Sequence, residues 1–218
     1  MARQQKPNPK KLIVEGNEDL RVIPELIEAH GVIWEPIKNE RVVEIIVADG
    51  DKKINKESIS TRFKESGLTA LGIIVDADQD LEGRWRSIRN FCLPSIADIP
   101  EQLPASGLIH ITPENIRFGI WIMPDNQTQG MLETFLKYLV PDKSQTLWEY
   151  AQEVAQAAKK KEATFKSSHV DKANIYTWLA WQDPPGRQLH DAVKQKILDP
   201  NHPKAQDFVK WFKALYQL

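Results

Sequence analysis

Leu71-Gly72-Ile73-Ile74-Val75 is apolar at every position, and Asp76-Ala77-Asp78-Gln79-Asp80 follows it without a break. A strand with no polar alternation is covered on both faces, the condition of a strand inside a parallel sheet. Lys11 to Val14 and Val42 to Val47 have the same buried character. Helical patterns lie between these runs. Leu20, Ile23, Leu26 and Ile27 share one face of a helix that stops at Gly31; Asn55 opens a helix carrying Ile59 and Phe63, closed by Gly67; Gln79 to Phe91 continues the series. Strands alternating with helices predict an α/β fold, a mainly parallel sheet covered by helices on both faces. Pro24 fits the first helix only in or near its first turn, and Ala48-Asp49-Gly50-Asp51 reads as a turn.

A Pro-rich connection, Pro94 to Pro104, separates this part from two further strands, Leu108 to Ile111 and Phe118 to Met123. Thr128 is positioned to cap a helix from Gln129 to Leu139. From Pro141 the character changes to helices only: Gln145 to Glu162, Val170 to Trp181, Leu189 to Leu198 and Ala205 to Tyr216. The expected organisation is a disordered arm at 1–9, an α/β domain at 10–141, and a C-terminal helical extension at 142–218 packed on it. Trp178, Trp181 and Trp211 fall on helical faces beside Leu179 and Phe212; packing onto the sheet is the expectation for them, with base stacking the alternative.

The chain has 29 Lys and Arg against 30 Asp and Glu, a net charge of −1, which argues against strong nonspecific binding of nucleic acid but leaves room for a local basic groove. Its one cysteine, Cys92, excludes an internal disulfide framework and predicts a reducing compartment; a buried thiol is the expected role. The polar, basic start lacks the apolar stretch of a secretory signal, and no run of about 18 apolar residues is present to span a membrane. The expected location is the cytoplasm.

The chemistry is concentrated in acidic residues where strands should end. Glu15-Gly16-Asn17-Glu18-Asp19 leaves the first strand, and the glycine lets the backbone pass close to a ligand. Asp76, Asp78 and Asp80 leave the third. Glu133 follows later, in Gly130-Met131-Leu132-Glu133. Ligands of open α/β sheets sit at the carboxyl ends of the strands. Carboxylates gathered there repel one another unless a cation joins them, and an all-oxygen donor set suits Mg²⁺ or Mn²⁺. A calcium loop of the EF-hand type is excluded, because it needs Gly and Glu where this chain has Leu81 and Ser87. A haloacid-dehalogenase-like phosphatase also begins with a strand and Asp-x-Asp, but Asp80 stands where that family has Thr or Val. Arg84, Arg86 and Arg89 follow the acids and are the candidates for phosphate binding; Lys159-Lys160-Lys161 reads as a solvated helix face. Asp125-Asn126 reads as turn chemistry. The five histidines are scattered without a metal-like pair, and His169 alone lies near a candidate site residue.

Glu15-Gly16 after the first strand and Asp76-Ala77-Asp78 after the third resemble the pattern of the TOPRIM domain of topoisomerases, primases and OLD-family (overcoming lysogenization defect) nucleases. Val14-Glu15-Gly16-x-x-Asp19 is similar to the small version in OLD-like proteins, and Ile122-Met123-Pro124-Asp125-Asn126 followed by Gly130-Met131-Leu132-Glu133 resembles related uncharacterised bacterial proteins. The resemblance covers residues 11 to about 140. It implies a TOPRIM-like fold and metal-dependent cutting or rejoining of nucleic acid. Glu15, Asp76 and Asp78 would then be the principal ligands of Mg²⁺ or Mn²⁺, completed by Asp19, Asp80 and Glu133, and Lys172 would supply the cationic residue of the helical part. Carboxylates from separate segments can hold two cations about 4 Å apart on a phosphodiester. The chain lacks the winged-helix tyrosine of a topoisomerase, the zinc-binding cysteines of a primase and the Walker A phrase of an ATPase. Either the chain acts alone or, by analogy, an ATPase is a separate partner; nucleic acid is the expected substrate partner, and a homo-oligomer is the further expectation. A partner-dependent or inactive binding module and a metal-dependent phosphatase on a small substrate are the alternative readings.

Overall fold

The computed structural model describes residues 7–48 and 54–218. Strand β1 (Lys10–Val14) leads into helix α1 (Asn17–Ala29), and β2 (Glu44–Val47) into α2 (Lys56–Phe63). Strand β3 (Ala70–Asp76) leads into α3 (Leu81–Cys92), and a long connection reaches β4 (Leu108–Ile111) and β5 (Arg117–Met123). Then come α4 (Leu132–Lys137), α5 (Gln145–Lys160), α6 (Val170–Leu179), α7 (Leu189–Lys194) and α8 (Pro203–Tyr216), with single 3-10 turns at Asp142–Ser144 and Ser167–His169. The fold is α/β. The described residues form one five-stranded sheet in the order β2-β1-β3-β5-β4, parallel except for β4, which runs antiparallel to β5.

The alternation of side chains across each strand divides the core in two. Leu12, Val14, Ile74, Trp121 and Met123 point to the face covered by α1 and α4–α8. Ile13, Ile73, Val75, Phe118, Ile120 and Ile122 point to the face covered by α2 and α3. Helix α8 packs closely against the sheet. Gly72 of β3 is paired with Gly119 of β5, and together they make a flat strip. A Cβ at Gly72 would collide with the Tyr216 hydroxyl and stand 2.9 Å from Leu12 Cδ1; one at Gly119 would stand 2.6 Å from Leu215 Cδ2. The Tyr216 hydroxyl donates to the Lys11 carbonyl at 2.8 Å, and the Arg117 guanidinium donates to the carbonyls of Ala214 and Leu215 at 2.7 and 3.0 Å. The arginine bonds satisfy carbonyls that the helix end would otherwise leave open.

Several local expectations change. Val42 is not in β2, because its N–H donates to the Trp34 carbonyl instead of a strand ladder. Pro24 lies in the interior of α1, beyond the first turn. Burial of Val22, Ile23, Leu26 and Ile27 on both sides of it holds the helix together. Thr128 does not cap a helix: its N–H and Oγ1 donate to Asp125 Oδ1, and α4 begins only after Met131. Helix α4 is therefore shorter than the Gln129 to Leu139 expectation. Pro9 is ordered, its carbonyl accepting from the N–H groups of Thr69 and Ala70, so the first fixed contacts precede β1. Residues 1–6 and the tip of the Ala48-to-Asp51 turn lie outside the described residues. Asn55 does cap α2, accepting from the Ser58 N–H at 2.9 Å. Cys92 is buried, which pushes its thiol up to about 12. Trp178 and Trp211 are core residues, whereas Trp181 is partly exposed and stacks on Tyr150. Among the described residues no helix is long and apolar enough to cross a membrane.

Candidate metal centre

The strand order changes direction between β1 and β3: β2 lies outward of β1, while β5 and β4 lie beyond β3. The carboxyl ends at such a switch point leave a crevice, because the connecting helices depart to opposite sides. Glu15 is the first residue after β1, and Asp76 is the last of β3. Glu15 Oε2 accepts the Asp76 main-chain N–H at 2.7 Å. Asp19, in the first turn of α1, is turned back so that Oδ2 accepts the Gly16 N–H at 3.1 Å. Asp76 Oδ1 accepts the Leu132 N–H at 3.0 Å, tying the start of α4 to the same rim. The next residue, Glu133, is 3% exposed and pairs with Lys172 Nζ at 3.0 Å.

Four carboxylates thus converge from three parts of the chain. Burial first, then the proximity of Glu15 and Glu133, push the Asp19 carboxyl up to about 7 against the opposing Gly16 hydrogen bond. Burial, followed by repulsion from Asp19, Glu15, Glu133 and Asp78, holds Asp76 well above the usual carboxylate range. Asp78 is at the margin. It has a positive φ of 52° and its backbone exchanges two hydrogen bonds with Gly130. Arg84 bridges the cluster, with Nη2 3.0 Å from Asp78 Oδ2 and Nη1 3.4 Å from Glu15 Oε1, so Glu15 and Asp78 lie on one rim.

Other candidates are placed elsewhere. Asp80 caps α3, its Oδ1 accepting from the Gly83 N–H at 2.8 Å. Arg89 donates to the carbonyls of Pro100 and Ile99, and Arg86 is on the exposed face of α3. His169 is exposed at the start of α6. Asp125 anchors the turn after β5: burial opposes its charge, but Lys204 at 2.8 Å, Thr128 and the Gln127 N–H hold its carboxyl below the usual range.

Two groups at the site have no counterpart among the sequence candidates. Tyr176, one turn after Lys172 on α6, is raised to about 12 by burial and then by Glu18 and Glu133. Asp171 accepts Thr134 Oγ1 at 2.6 Å and Lys137 Nζ at 3.3 Å. Consecutive residues of α6, Asp171 and Lys172, therefore grip consecutive residues of α4, Thr134 and Glu133. Only the i, i+4 spacing of Tyr176 from Lys172 could have pointed to the first; nothing local in the sequence signals the second.

The donor set suits a hard divalent cation, since every converging group is a carboxylate. As the side chains stand, no three His, Cys, Asp or Glu residues among the described residues form a metal cage. Each carboxylate is turned to a local donor: Glu15 to the Asp76 N–H, Asp19 to Gly16, Asp76 to Leu132 and Glu133 to Lys172. A cation would compete with these bonds, and the buried, mutually repelling Asp19 and Asp76 are the groups with most to gain from it.

A family model described as protein of unknown function (DUF3226) matches residues 9–217. No curated protein matches the chain. Two solved structures of the C-terminal region of the Xanthomonas campestris pv. campestris OLD protein, phased with mercury and with iodine, are similar to it at 13% and 12% identity. Each comparison covers 98% of both chains, with TM-scores of 0.49 and 0.48.

Proposed function

We propose that this chain, which belongs to the DUF3226 family across residues 9–217, is a Mg²⁺- or Mn²⁺-dependent nuclease of TOPRIM type that hydrolyses phosphodiesters of nucleic acid. The observation that carries the reading is the convergence of Glu15, Asp19, Asp76 and Glu133 at the switch point of the sheet, with the carboxyls of Asp19 and Asp76 raised by burial and by their neighbours. Such a cluster is costly in isolation and becomes favourable around a cation.

Glu15, Asp76 and Asp78 would be the principal ligands, with Asp19 and Glu133 completing the set. Asp80, as the cap of α3, would act by fixing the Asp76–Asp78 loop rather than as a direct ligand. A bound divalent cation supplies charge neutralisation at the phosphoryl oxygens and a more acidic water. Lys172, held at the cluster by Glu133, would stabilise negative charge developing on the phosphorus oxygens, a role for which a fixed cation in a partly dry site is well suited. Arg84 would hold Glu15 and Asp78 in register across the gap between β1 and β3. The proposed location is the cytoplasm, and a separate ATPase partner and self-association belong to the same proposal.

The test is cleavage of DNA and RNA, single-stranded and duplex, with Mg²⁺ and Mn²⁺, beside a generic phosphatase substrate. The reading requires cleavage by wild type and loss of nearly all of it in Asp76→Asn. Turnover of the phosphatase substrate alone would transfer the site to small-molecule chemistry. Binding of nucleic acid with no cleavage under any condition would make the chain a binding module.

A further inference from the structure

A cleft of about 140 Å³ opens beside Asp78. One wall is Asp78, Gln79, Gly130 and Met131; the other is Ser167, Ser168, Val170 and Asp171. The second wall begins one residue after Lys166, at the end of the loop that joins α5 to α6. That loop is tightly folded. Lys159 Nζ donates to the carbonyls of Ala163 and Phe165 and stands 5.0 Å from the Phe165 ring centre. The Ala163 and Glu162 N–H groups close back on Ala158 and Lys159.

Lys159 is thus consumed by the loop, and Lys160 has a second reason to be where it is, since a cation is favoured at a helix C-terminus. Lys161, the C-cap of α5, shares that position, and neither account covers Lys166. All three of Lys160, Lys161 and Lys166 are exposed, and none has a carboxylate partner among the described residues. From Lys159 to Lys172 the chain carries five lysines against Glu162 and Asp171, whereas the whole chain is at −1. The near-neutral total conceals a basic segment that ends at the mouth of the cleft.

We propose that this loop is a docking surface for the phosphate backbone of the nucleic acid, which would pass from the carboxylate cluster through the cleft lined by Ser167 and Ser168 and over Lys166, Lys161 and Lys160. The inference rests on the nuclease reading and adds the path of the substrate to it. A phosphate backbone fits because the surface offers point charges on flexible stems, which recognise charge and not sequence.

The experiment uses the full chain and a short fluorescein-labelled oligonucleotide, single-stranded and duplex, with anisotropy read over a series of salt concentrations in Ca²⁺. The variant combines Lys160→Ala, Lys161→Ala and Lys166→Ala. The control combines Lys38→Ala, Lys56→Ala and Lys64→Ala, exposed lysines elsewhere that remove the same charge. The loop variant is expected to bind about tenfold more weakly, or worse, at low salt. Its plot of log K against log salt should flatten by roughly 0.7 to 0.9 for each phosphate it no longer neutralises. The control should keep both, and Mn²⁺ should raise the melting temperature of all three proteins equally. Unchanged affinity and slope in the loop variant, with wild type binding and cutting, would overturn the surface alone. Equal weakening in variant and control would also overturn it, showing an effect of net charge. A wild type that neither binds nor cuts would remove the nucleic-acid reading and this surface with it.

Discussion

The Asp76 main-chain N–H donates to Glu15 Oε2 at 2.7 Å, so the last residue of β3 holds the side chain of the first residue beyond β1. Hydrogen bonding between the two strands ends at Val14 and Ile74, and this bond extends it by a side chain at the point where the sheet's direction of growth reverses. The two carboxylates are therefore neighbours because of the topology, although 61 residues separate them.

Millimolar Mn²⁺ or Mg²⁺ should raise the melting temperature, because an ion that binds only the folded state stabilises it by about 2.7 kcal/mol at a hundred times its dissociation constant. Asp76→Asn should abolish the increase. It should also stabilise the metal-free protein, since the amide keeps the bond from the Leu132 N–H and removes a charge repelled by Asp19, Glu15 and Glu133. Calorimetry with and without metal checks both statements; a melting temperature unmoved by either ion would reduce the cluster to a structural feature.

The metal-free protein should lose stability as pH rises. The Asp19 carboxyl is raised from 3.8 to about 7 in the folded chain. Between those values the folded state binds more protons than the unfolded state, so the free energy of unfolding falls with increasing pH. The contribution is complete below about pH 4 and lost above about pH 7. A divalent cation competes with the proton, so its stabilising effect should grow over the same interval. Urea unfolding across that range, repeated with Asp19→Asn, isolates the contribution: the variant's slope should be shallower.

Gly72→Ala should cost about 1–3 kcal/mol, the usual range for overfilling a packed core, because the new methyl meets the Tyr216 hydroxyl and Leu12. Tyr216→Phe alone should cost about 1 kcal/mol through loss of the bond to the Lys11 carbonyl. The double variant should cost less than the sum, since removing the hydroxyl opens space for the methyl. Additive costs would show that α8 does not seat on the glycine strip.

A chain ending near Pro141 should fail to fold cooperatively. It would strip Phe208, Trp211, Phe212, Leu215 and Tyr216 from the face that carries Leu12, Ile74 and Trp121, exposing a contiguous apolar surface. Soluble, cooperatively melting material from that truncation would make residues 142–218 an independent unit.

The parallel sheet was legible because β3 and its neighbours are apolar without alternation, a pattern that follows directly from burial on two faces. Glu15 and Asp76 were legible as residues of the sheet's rim for a related reason: one directly follows and the other ends an apolar run that the sheet buries. The capping role of Asp80 was not legible, since a third acid at the same spacing does not reveal that it accepts the Gly83 N–H. Thr128 misled, as a hydroxyl can cap a helix or serve a turn, and Asp125 decided between them. The Asp171–Thr134 hydrogen bond was invisible, because it depends on how α6 crosses α4 and not on any local pattern.

On the proposed nuclease reading, Lys172→Met should lower the cleavage rate by about 10² to 10³, the typical loss for one preorganised electrostatic group, while leaving the metal-dependent rise in melting temperature in place. Lys172 Nζ is 3.0 Å from Glu133 Oε1 and half exposed, so it sits between the buried cluster and solvent, where a substrate phosphate would approach. Methionine keeps the length and removes the charge. Lys172→Arg should recover part of the rate, because the charge returns in a different shape. Single-turnover kinetics separates this effect from weaker binding: the loss should fall on the chemical step. A Lys172→Met protein with the wild-type single-turnover rate would assign the lysine to holding Glu133 and α4 in place, and the charge-stabilising role would pass to another group on the rim.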